Sequence, residues 1–250
     1  MPPRVTVLGS CAAFPEPGRA CSGFAVDWAG HRIVLDLGYA TLPRVLEHWP
    51  DGRIDAVVIT HEHPDHCVDP HGLFRARYFS GGPRLPLYCP PGVLDRLAGV
   101  EPDVDLREVF DVRPLPGTYR WGPFELTGIA LPHFVPSAGV RLSAGGATVA
   151  YTGDTGPAPE LVELGRDADV FIVDATGRPG EPADRAGSGR VGSARRGPGV
   201  GAHALLAGQR PRRSGGRSAL GVRRHRARRG RRTGPPPGMT AAHTVWARGS

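Results

Sequence analysis

The stretch His61-Glu62-His63-Pro64-Asp65-His66 decides the fold, because it gathers three imidazoles and a carboxylate into a few consecutive positions. It follows the apolar run Asp55–Thr60, which predicts a buried β-strand. A turn that leaves a strand can direct alternate side chains inward, so one pair of these ligands can bind one ion and the next pair a second. Imidazole and carboxylate suit zinc and also admit manganese or iron. The stretch therefore predicts a metal centre at a sheet edge rather than a polar loop with chance histidines.

Short β-rich segments and helical segments alternate on both sides of this stretch. The patterns predict strands over Arg4–Gly9, Gly23–Trp28, His31–Leu37, Leu85–Cys89, Val109–Val112, Phe124–Leu131, Gly139–Leu142, Thr148–Tyr151 and Val170–Val173. Helices are predicted over Thr41–Trp49, His71–Phe79, Gly92–Leu97 and Pro159–Leu164. Ala29-Gly30 is expected to join the second and third strands as a hairpin. This mixture predicts an α/β domain.

Charge divides the chain into an acidic body and a basic tail. Residues 1–178 hold 15 Arg against 22 Asp and Glu, whereas residues 179–250 hold 16 Arg against Glu181 and Asp184. The tail is dominated by Gly, Pro and Arg, and no helical or strand period is sustained in it. We therefore predict a folded domain over residues 1–178 and a tail over residues 179–250 that is disordered or out of frame.

The sequence favours a reduced, cytoplasmic protein. Its four cysteines form no C-x-x-C pair, so neither a zinc ribbon nor a redox motif is indicated. The first residues lack the pattern of a signal peptide, and no segment approaches the roughly twenty apolar residues of a membrane span. We expect no association with a membrane.

H-x-H-x-D-H after a buried strand resembles the signature of the metallo-β-lactamase superfamily. Val5-Thr6-Val7-Leu8-Gly9-Ser10 resembles the opening strand and glycine turn of that family, and Leu35-Asp36-Leu37-Gly38 resembles its aspartate-glycine turn before the first helix. The resemblance covers roughly residues 4–178. It implies a four-layer αββα sandwich with its metals at the sheet edge, and the C-terminal part of that fold is expected to be incomplete here.

The resemblance also completes a ligand set. His133, in Leu131-Pro132-His133, fits the third histidine of the first metal site, and Asp154, in the Gly-Asp-Thr turn, fits the aspartate that bridges both metals. It thus implies two divalent ions, zinc or else manganese or iron, that share a hydroxide and activate it for hydrolysis. Asp65 is in addition a candidate catalytic residue that orients this nucleophile or moves a proton. The implied metal ligands are His61, His63, Asp65, His66, His133 and Asp154.

Two motifs indicate the substrate class. The Gly-Asp-Thr turn and Val173-Asp174-Ala175-Thr176 resemble the branch that contains ribonuclease Z and cyclic-nucleotide phosphodiesterases. In ribonuclease Z the second motif begins with a histidine that assists catalysis, where this chain has Val173, and no basic arm of the kind that grips transfer RNA is recognisable. We therefore expect a phosphodiesterase that acts on a cyclic nucleotide or on an RNA phosphodiester. A thioester or lactam hydrolase of the same superfamily is the alternative.

The arginine-rich tail allows three interpretations. Nucleic-acid binding is disfavoured, because Trp246 is the only aromatic residue after Phe171 and bases would lack a stacking surface. A solvated extension is the simplest interpretation. The third is a frameshift. If the reading frame is shifted by one base from Ala202 onward, Leu-Thr-His-Phe-Trp-Pro becomes a permitted translation. The resemblance implies that the last ligand histidine of the family lies in such a segment.

A missing last histidine would leave the second metal site incomplete. The second ion would then have only Asp65, His66 and the bridging Asp154 as protein ligands, and His203 is not placed in the site by any pattern. A catalytically inactive product with a basic, anion-binding tail is therefore a further alternative to an enzyme. A homodimer is compatible with the sequence.

Overall fold

The computed structural model describes residues 3–174, 202–206 and 243–248. A short 3₁₀ helix lies at Leu106–Glu108. The helices are α1 Thr41–His48, α2 Pro64–Cys67, α3 Pro70–Ser80, α4 Val93–Ala98 and α5 Glu160–Gly165. The strands are β1 Arg4–Gly9, β2 Gly23–Trp28, β3 His31–Leu35, β4 Ala56–Val58, β5 Leu85–Cys89, β6 Phe110–Pro114, β7 Gly117–Trp121, β8 Phe124–Leu131, β9 Ser137–Ala144, β10 Ala147–Tyr151, β11 Val170–Asp174, β12 Ala202–Leu206 and β13 His243–Arg248.

The described strands form two sheets. The first has the order β1-β2-β3-β4-β5-β6, and β3 to β6 run parallel to one another. The second has the order β12-β13-β11-β10-β9-β8-β7, with β10 and β11 parallel. The predicted hairpin between β2 and β3 is confirmed, since Ala29 and Gly30 both have positive φ angles, 50° and 81°, as a type I′ turn requires.

Three buried apolar clusters show how the layers pack. One joins the outer face of the first sheet to α1, α3 and α4, through residues such as Val45, Phe74 and Leu97. A second fills the space between the two sheets, with Phe24, Tyr88 and Tyr151 among its members. A third joins α5 to the outer face of the second sheet. Helices, sheet, sheet and helix therefore form the predicted αββα sandwich.

Some elements of the fold were not predicted from the sequence. Asp65 and His66 lie in the short helix α2 rather than in a simple turn, because Pro64 occupies its first position, where a fixed φ favours helix. The strand β7 was also missed, because it is only five residues long and its side chains alternate between half-buried and exposed without any being fully buried.

Two short segments of the tail extend the second sheet. Strand β13 pairs antiparallel with β11, and β12 pairs antiparallel with β13, so both extend the second sheet. Thr244, Val245 and Trp246 are residue types with high strand propensity, but a run this short among Gly, Pro and Arg gives little periodic signal. The expected disorder of residues 179–201 and 207–242 concerns residues outside the described ranges.

The two sheets deliver side chains to one edge of the sandwich. Strand β4 ends shortly before His61, β8 ends shortly before His133, and β10 ends shortly before Asp154. Because β3 to β6 are parallel, their carboxyl ends lie at the same edge, where open α/β sheets bind ligands. Across the described ranges, no helix is both long enough and apolar enough to cross a membrane.

Candidate metal centre

Three histidines from distant parts of the chain converge at this edge. His61 Nε2 lies 3.1 Å from His63 Nδ1, and His133 Nε2 lies 3.0 Å from the same atom. The three ligand nitrogens lie within 4.8 Å of one another. His61 is fully buried, whereas His63 and His133 are partly exposed. The group thus has one face toward the interior and one toward solvent.

A second group lies beside the first and shares one of its members. His61, His66 and Asp154 also place their ligand atoms within 4.8 Å of one another. The Nε2 atom of His66 lies 3.1 Å from an Asp154 carboxylate oxygen and 3.7 Å from one of Asp65. The structure therefore brings together all six of the residues predicted as ligands. It also places His61 between the two groups, which the sequence did not predict.

The donor set fits divalent metal ions. Two donors about 2.0–2.1 Å from a zinc ion lie about 2.9 Å apart at a right angle and about 3.3 Å apart at a tetrahedral angle. The distances from His63 Nδ1 to His61 Nε2 and to His133 Nε2, 3.1 Å and 3.0 Å, both fall within that range. A single proton on His63 Nδ1 cannot serve both of its neighbours, and unprotonated nitrogens that face each other repel. A cation between the three nitrogens would satisfy all of them.

The electrostatic surroundings prepare the histidines differently. Burial, together with the neighbouring His66, lowers the pKa of His61 to about 2, so its imidazole is neutral and offers a lone pair. Burial likewise lowers the pKa of His133. Burial also disfavours a charged His66, but the carboxylates of Asp154 and Asp36 outweigh it and raise the pKa of His66 well above its usual value. The position at His66 Nε2 is thus one that favours positive charge, which a metal ion can supply in place of a proton.

Asp36 is a buried acceptor that orients the second group. One of its oxygens accepts hydrogen bonds from His66 Nδ1 at 2.7 Å, Tyr151 Oη at 2.7 Å and Thr60 Oγ1 at 2.8 Å. Its other oxygen accepts from the Thr60 backbone N–H at 2.7 Å. A histidine that donates through Nδ1 leaves Nε2 available as a ligand. Asp36 therefore fixes both the tautomer and the direction of His66.

The same chain of hydrogen bonds reaches His61. The Thr60 hydroxyl donates to Asp36, so it accepts from His61 Nδ1, which lies 3.1 Å away. Nε2 of His61 is then the unprotonated atom, and it faces His63. Sequence reasoning assigned no role to Asp36, Thr60 or Tyr151. The position of Asp36 directly after an apolar strand could have indicated its role, whereas nothing in the sequence distinguishes Tyr151 from an ordinary core residue.

Close packing of two loops holds Asp65 and His66 in place. The Leu37 N–H donates to the His66 carbonyl at 2.8 Å, and the Ser22 N–H donates to the Asp65 carbonyl at 3.1 Å. A Cβ atom added at Gly38 would lie 1.8 Å from the Asp65 carbonyl oxygen, so no larger residue fits there. The glycine of the motif that follows β3 therefore allows α2 to pack against that turn.

Comparison with known proteins identifies the family. A family model described as a beta-lactamase superfamily domain matches residues 31–208, which is more than half of the chain. The chain belongs to the beta-lactamase superfamily. Its two-sheet architecture is the metallo-β-lactamase fold, and the homologues whose names state an activity are metallo-hydrolases. The match extends past residue 178, where the sequence alone suggested that the resemblance ends.

Relatives agree with this assignment. Protein ML1173 of Mycobacterium leprae is 34% identical over 190 residues, which is 69% of this chain and 65% of that protein. The probable metallo-hydrolase YhfI of Bacillus subtilis is 28% identical over 174 residues, 68% of this chain and 70% of YhfI. The ribonuclease Z of Haloferax volcanii is 27% identical over 230 residues, 69% of this chain and 72% of that enzyme. The chain thus spans about two thirds of the length of these relatives.

A solved structure gives the same result for the fold. The crystal structure of YhfI, a metallo-β-lactamase fold protein, superposes with a TM-score of 0.60 at 26% sequence identity, and the match covers 68% of this chain and 70% of YhfI. The superfamily and the fold class predicted from the sequence are therefore confirmed.

Proposed function

We propose that this superfamily member is a metal-dependent phosphodiesterase that hydrolyses a small phosphodiester such as a cyclic nucleotide, or else an RNA phosphodiester. The observation that carries the proposal is the convergence of two adjacent ligand groups on the shared His61. When bound, two divalent ions supply the Lewis acidity that neutralises a phosphoryl group and activates water. We propose zinc, with manganese or iron as alternatives, since imidazole and carboxylate suit all three.

The chain's own residues would divide the work. His61, His63 and His133 would hold the first ion, and Asp65, His66 and Asp154 would hold the second. Asp65 keeps a partly exposed carboxylate 3.7 Å from His66 Nε2, where it can orient the attacking water or accept its proton. Its backbone is fixed by the hydrogen bond from Ser22, so the carboxylate is positioned before substrate arrives.

One feature supports a small phosphodiester over transfer RNA. Residue 173, where a catalytic histidine is expected in ribonuclease Z, is the aliphatic Val173 on β11. The likeness to a ribonuclease Z supports phosphodiester chemistry. We further propose a cytoplasmic location, which is supported by four buried cysteines that are all free thiols.

Metal removal followed by reloading tests the proposed activity. The purified chain, stripped with a chelator and then supplied with Zn²⁺, Mn²⁺ or Fe²⁺, is assayed on bis-p-nitrophenyl phosphate, a cyclic nucleotide and a thioester. We expect hydrolysis of the phosphodiesters to vanish on stripping and to return with metal, because ions that neutralise the phosphoryl charge contribute several kcal/mol to the rate. A higher kcat/KM for the thioester than for both phosphodiesters would contradict the phosphodiesterase and favour the alternative hydrolase.

The tail determines how active this chain is. We propose that it lacks the last ligand histidine because of a frameshift, so that the second ion is weakly held. A version with residues 202 onward restored to the shifted frame is expected to bind a second equivalent of metal and to hydrolyse bis-p-nitrophenyl phosphate at least about tenfold faster, which corresponds to about 1.4 kcal/mol. Metal analysis and kcat measure both effects.

The control for this comparison is a version that ends at residue 178. It separates the effect of restoring ligands from the effect of removing arginines. Equal activity and metal content in all three versions, or an intact frame in independently sequenced DNA together with a folded tail, would exclude the frameshift. Metal content near zero with salt-sensitive binding to anionic surfaces would favour an inactive, anion-binding product.

A further inference from the structure

A cleft of about 590 Å³ opens beside the candidate metal centre. It is lined by Pro90 and Pro91, by Leu115 and Pro116, and by residues 130–137, and we call it the proline cleft. Its volume lies within the range of about 300–1,000 Å³ typical of small-molecule sites. His133 belongs both to this lining and to the first ligand group, so the cleft and the metal centre are continuous.

The fold places the proline cleft at the edge that carries the ligands. Pro90-Pro91 follows β5, and Leu115-Pro116 lies between β6 and β7. Strands β5 and β6 run parallel to β4, whose carboxyl end leads into His61. The remaining lining residues run from the end of β8 to the start of β9 and include His133. A molecule with its reacting group at the metal centre can therefore extend directly into the cleft.

The chemistry of the lining selects an uncharged group. Five of its residues are prolines, which have no backbone N–H to offer, and His133 is its one titratable residue. The lining, all of it within the described part of the chain, contains no arginine or carboxylate. Such a surface offers little to a second phosphate or a sugar hydroxyl. Rigid proline rings do provide a preformed apolar surface, against which a planar ring packs with little ordering of the protein.

Phe134 is one of the lining residues of the proline cleft, and its side chain is almost fully exposed to solvent. The residue is 94% exposed, and its ring centroid lies 5.3 Å from that of His133. The exposed face of this ring therefore lies next to a candidate metal ligand and is accessible to a ligand in the cleft. Aromatic rings pair in stacked or edge-to-face arrangements, and a ligand ring in the cleft could make such a contact with Phe134.

We propose that the proline cleft binds the uncharged planar group of the substrate, an aryl ring or nucleobase, against Phe134, while the phosphoryl group lies at the metal centre. This inference rests on the proposed function and names the part of the substrate that the enzyme selects. It makes Phe134 a specificity-determining residue that contributes to binding and not to the chemical step.

A pair of phosphonates tests the proposal by binding alone. Phenylphosphonate and methylphosphonate carry the same metal-binding head and differ in the ring. In calorimetric titrations of the zinc-loaded protein we expect phenylphosphonate to bind about tenfold more tightly. Phe134→Ala should reduce this preference to about twofold and leave the affinity for methylphosphonate unchanged, whereas Phe134→Tyr should keep it.

Phe79→Ala is the matched control. Phe79 is also strongly exposed, at 71%, but it lies near the end of α3, outside the proline cleft, so its removal should leave both affinities unchanged. Equal affinities for the two phosphonates, or a preference that survives Phe134→Ala, would overturn the role of the cleft and leave the metal centre standing. If neither phosphonate binds the zinc-loaded protein, the metal centre itself is overturned, and the cleft proposal with it.

Discussion

Replacing His61 by alanine is expected to lower kcat for bis-p-nitrophenyl phosphate by about a thousandfold and to abolish binding of the well-held metal equivalent. His61 is the residue that belongs to both ligand groups, and its Nε2 atom is neutral and directed at His63. Metal ions contribute several kcal/mol of charge stabilisation to such a hydrolysis, and about 4 kcal/mol corresponds to a thousandfold in rate. Metal analysis of the purified variant gives the stoichiometry.

Single-group variants give the contrast for this prediction. His66→Ala removes a member of the second group only, so it should retain the well-held metal equivalent that His61→Ala loses, and His133→Ala should retain part of it. Because His61 is fully buried, its replacement could disturb folding, and circular dichroism is used to check that the variant is folded. If His61→Ala binds as much metal as the parent chain, the two groups do not form the centre proposed here.

Replacing Asp36 by asparagine is expected to weaken metal binding by about ten- to a hundredfold, although Asp36 belongs to neither ligand group. One oxygen of this buried carboxylate accepts from three donors at once, on His66, Tyr151 and Thr60. An amide cannot accept all of these hydrogen bonds, and its NH₂ group placed at that position would face three donors. The free energy of unfolding should also fall, by about 3 kcal/mol, as a buried charged partner of His66 is lost.

Chelator competition and urea unfolding measure the two effects separately. Tyr151→Phe removes one of the three donors and leaves the carboxylate, so its loss of metal affinity should be much smaller than that of Asp36→Asn. Asp51→Asn is the surface control, because that side chain is 64% exposed and pairs with Arg32 away from the ligand groups. Parent-like metal affinity in Asp36→Asn would show that His66 does not depend on this carboxylate for its orientation.

Much of the fold was predictable because it is encoded locally. The alternation of β2 and β3 and their Ala29-Gly30 turn predicted a hairpin, and the apolar face of α1 predicted a helix. Errors occurred where the local signal was weak, as in the partly exposed β7 and in β12 and β13. In those strands, pairing with a neighbouring strand decides the structure, and a single sequence does not display that pairing.

The sequence by itself determined the chemistry of the centre, because positions 61 to 66 are consecutive and the peptide chain keeps their side chains within reach of one another. His133 and Asp154 entered through resemblance to a family, since no local pattern links them to that cluster. The tertiary structure decided how the ligands are grouped, with His61 shared, and it supplied Asp36 and Tyr151, which are 115 positions apart. Contacts across such separations exist only when the sheets have packed face to face, so the orientation of His66 and the continuity of the centre with the proline cleft are properties of the folded sandwich.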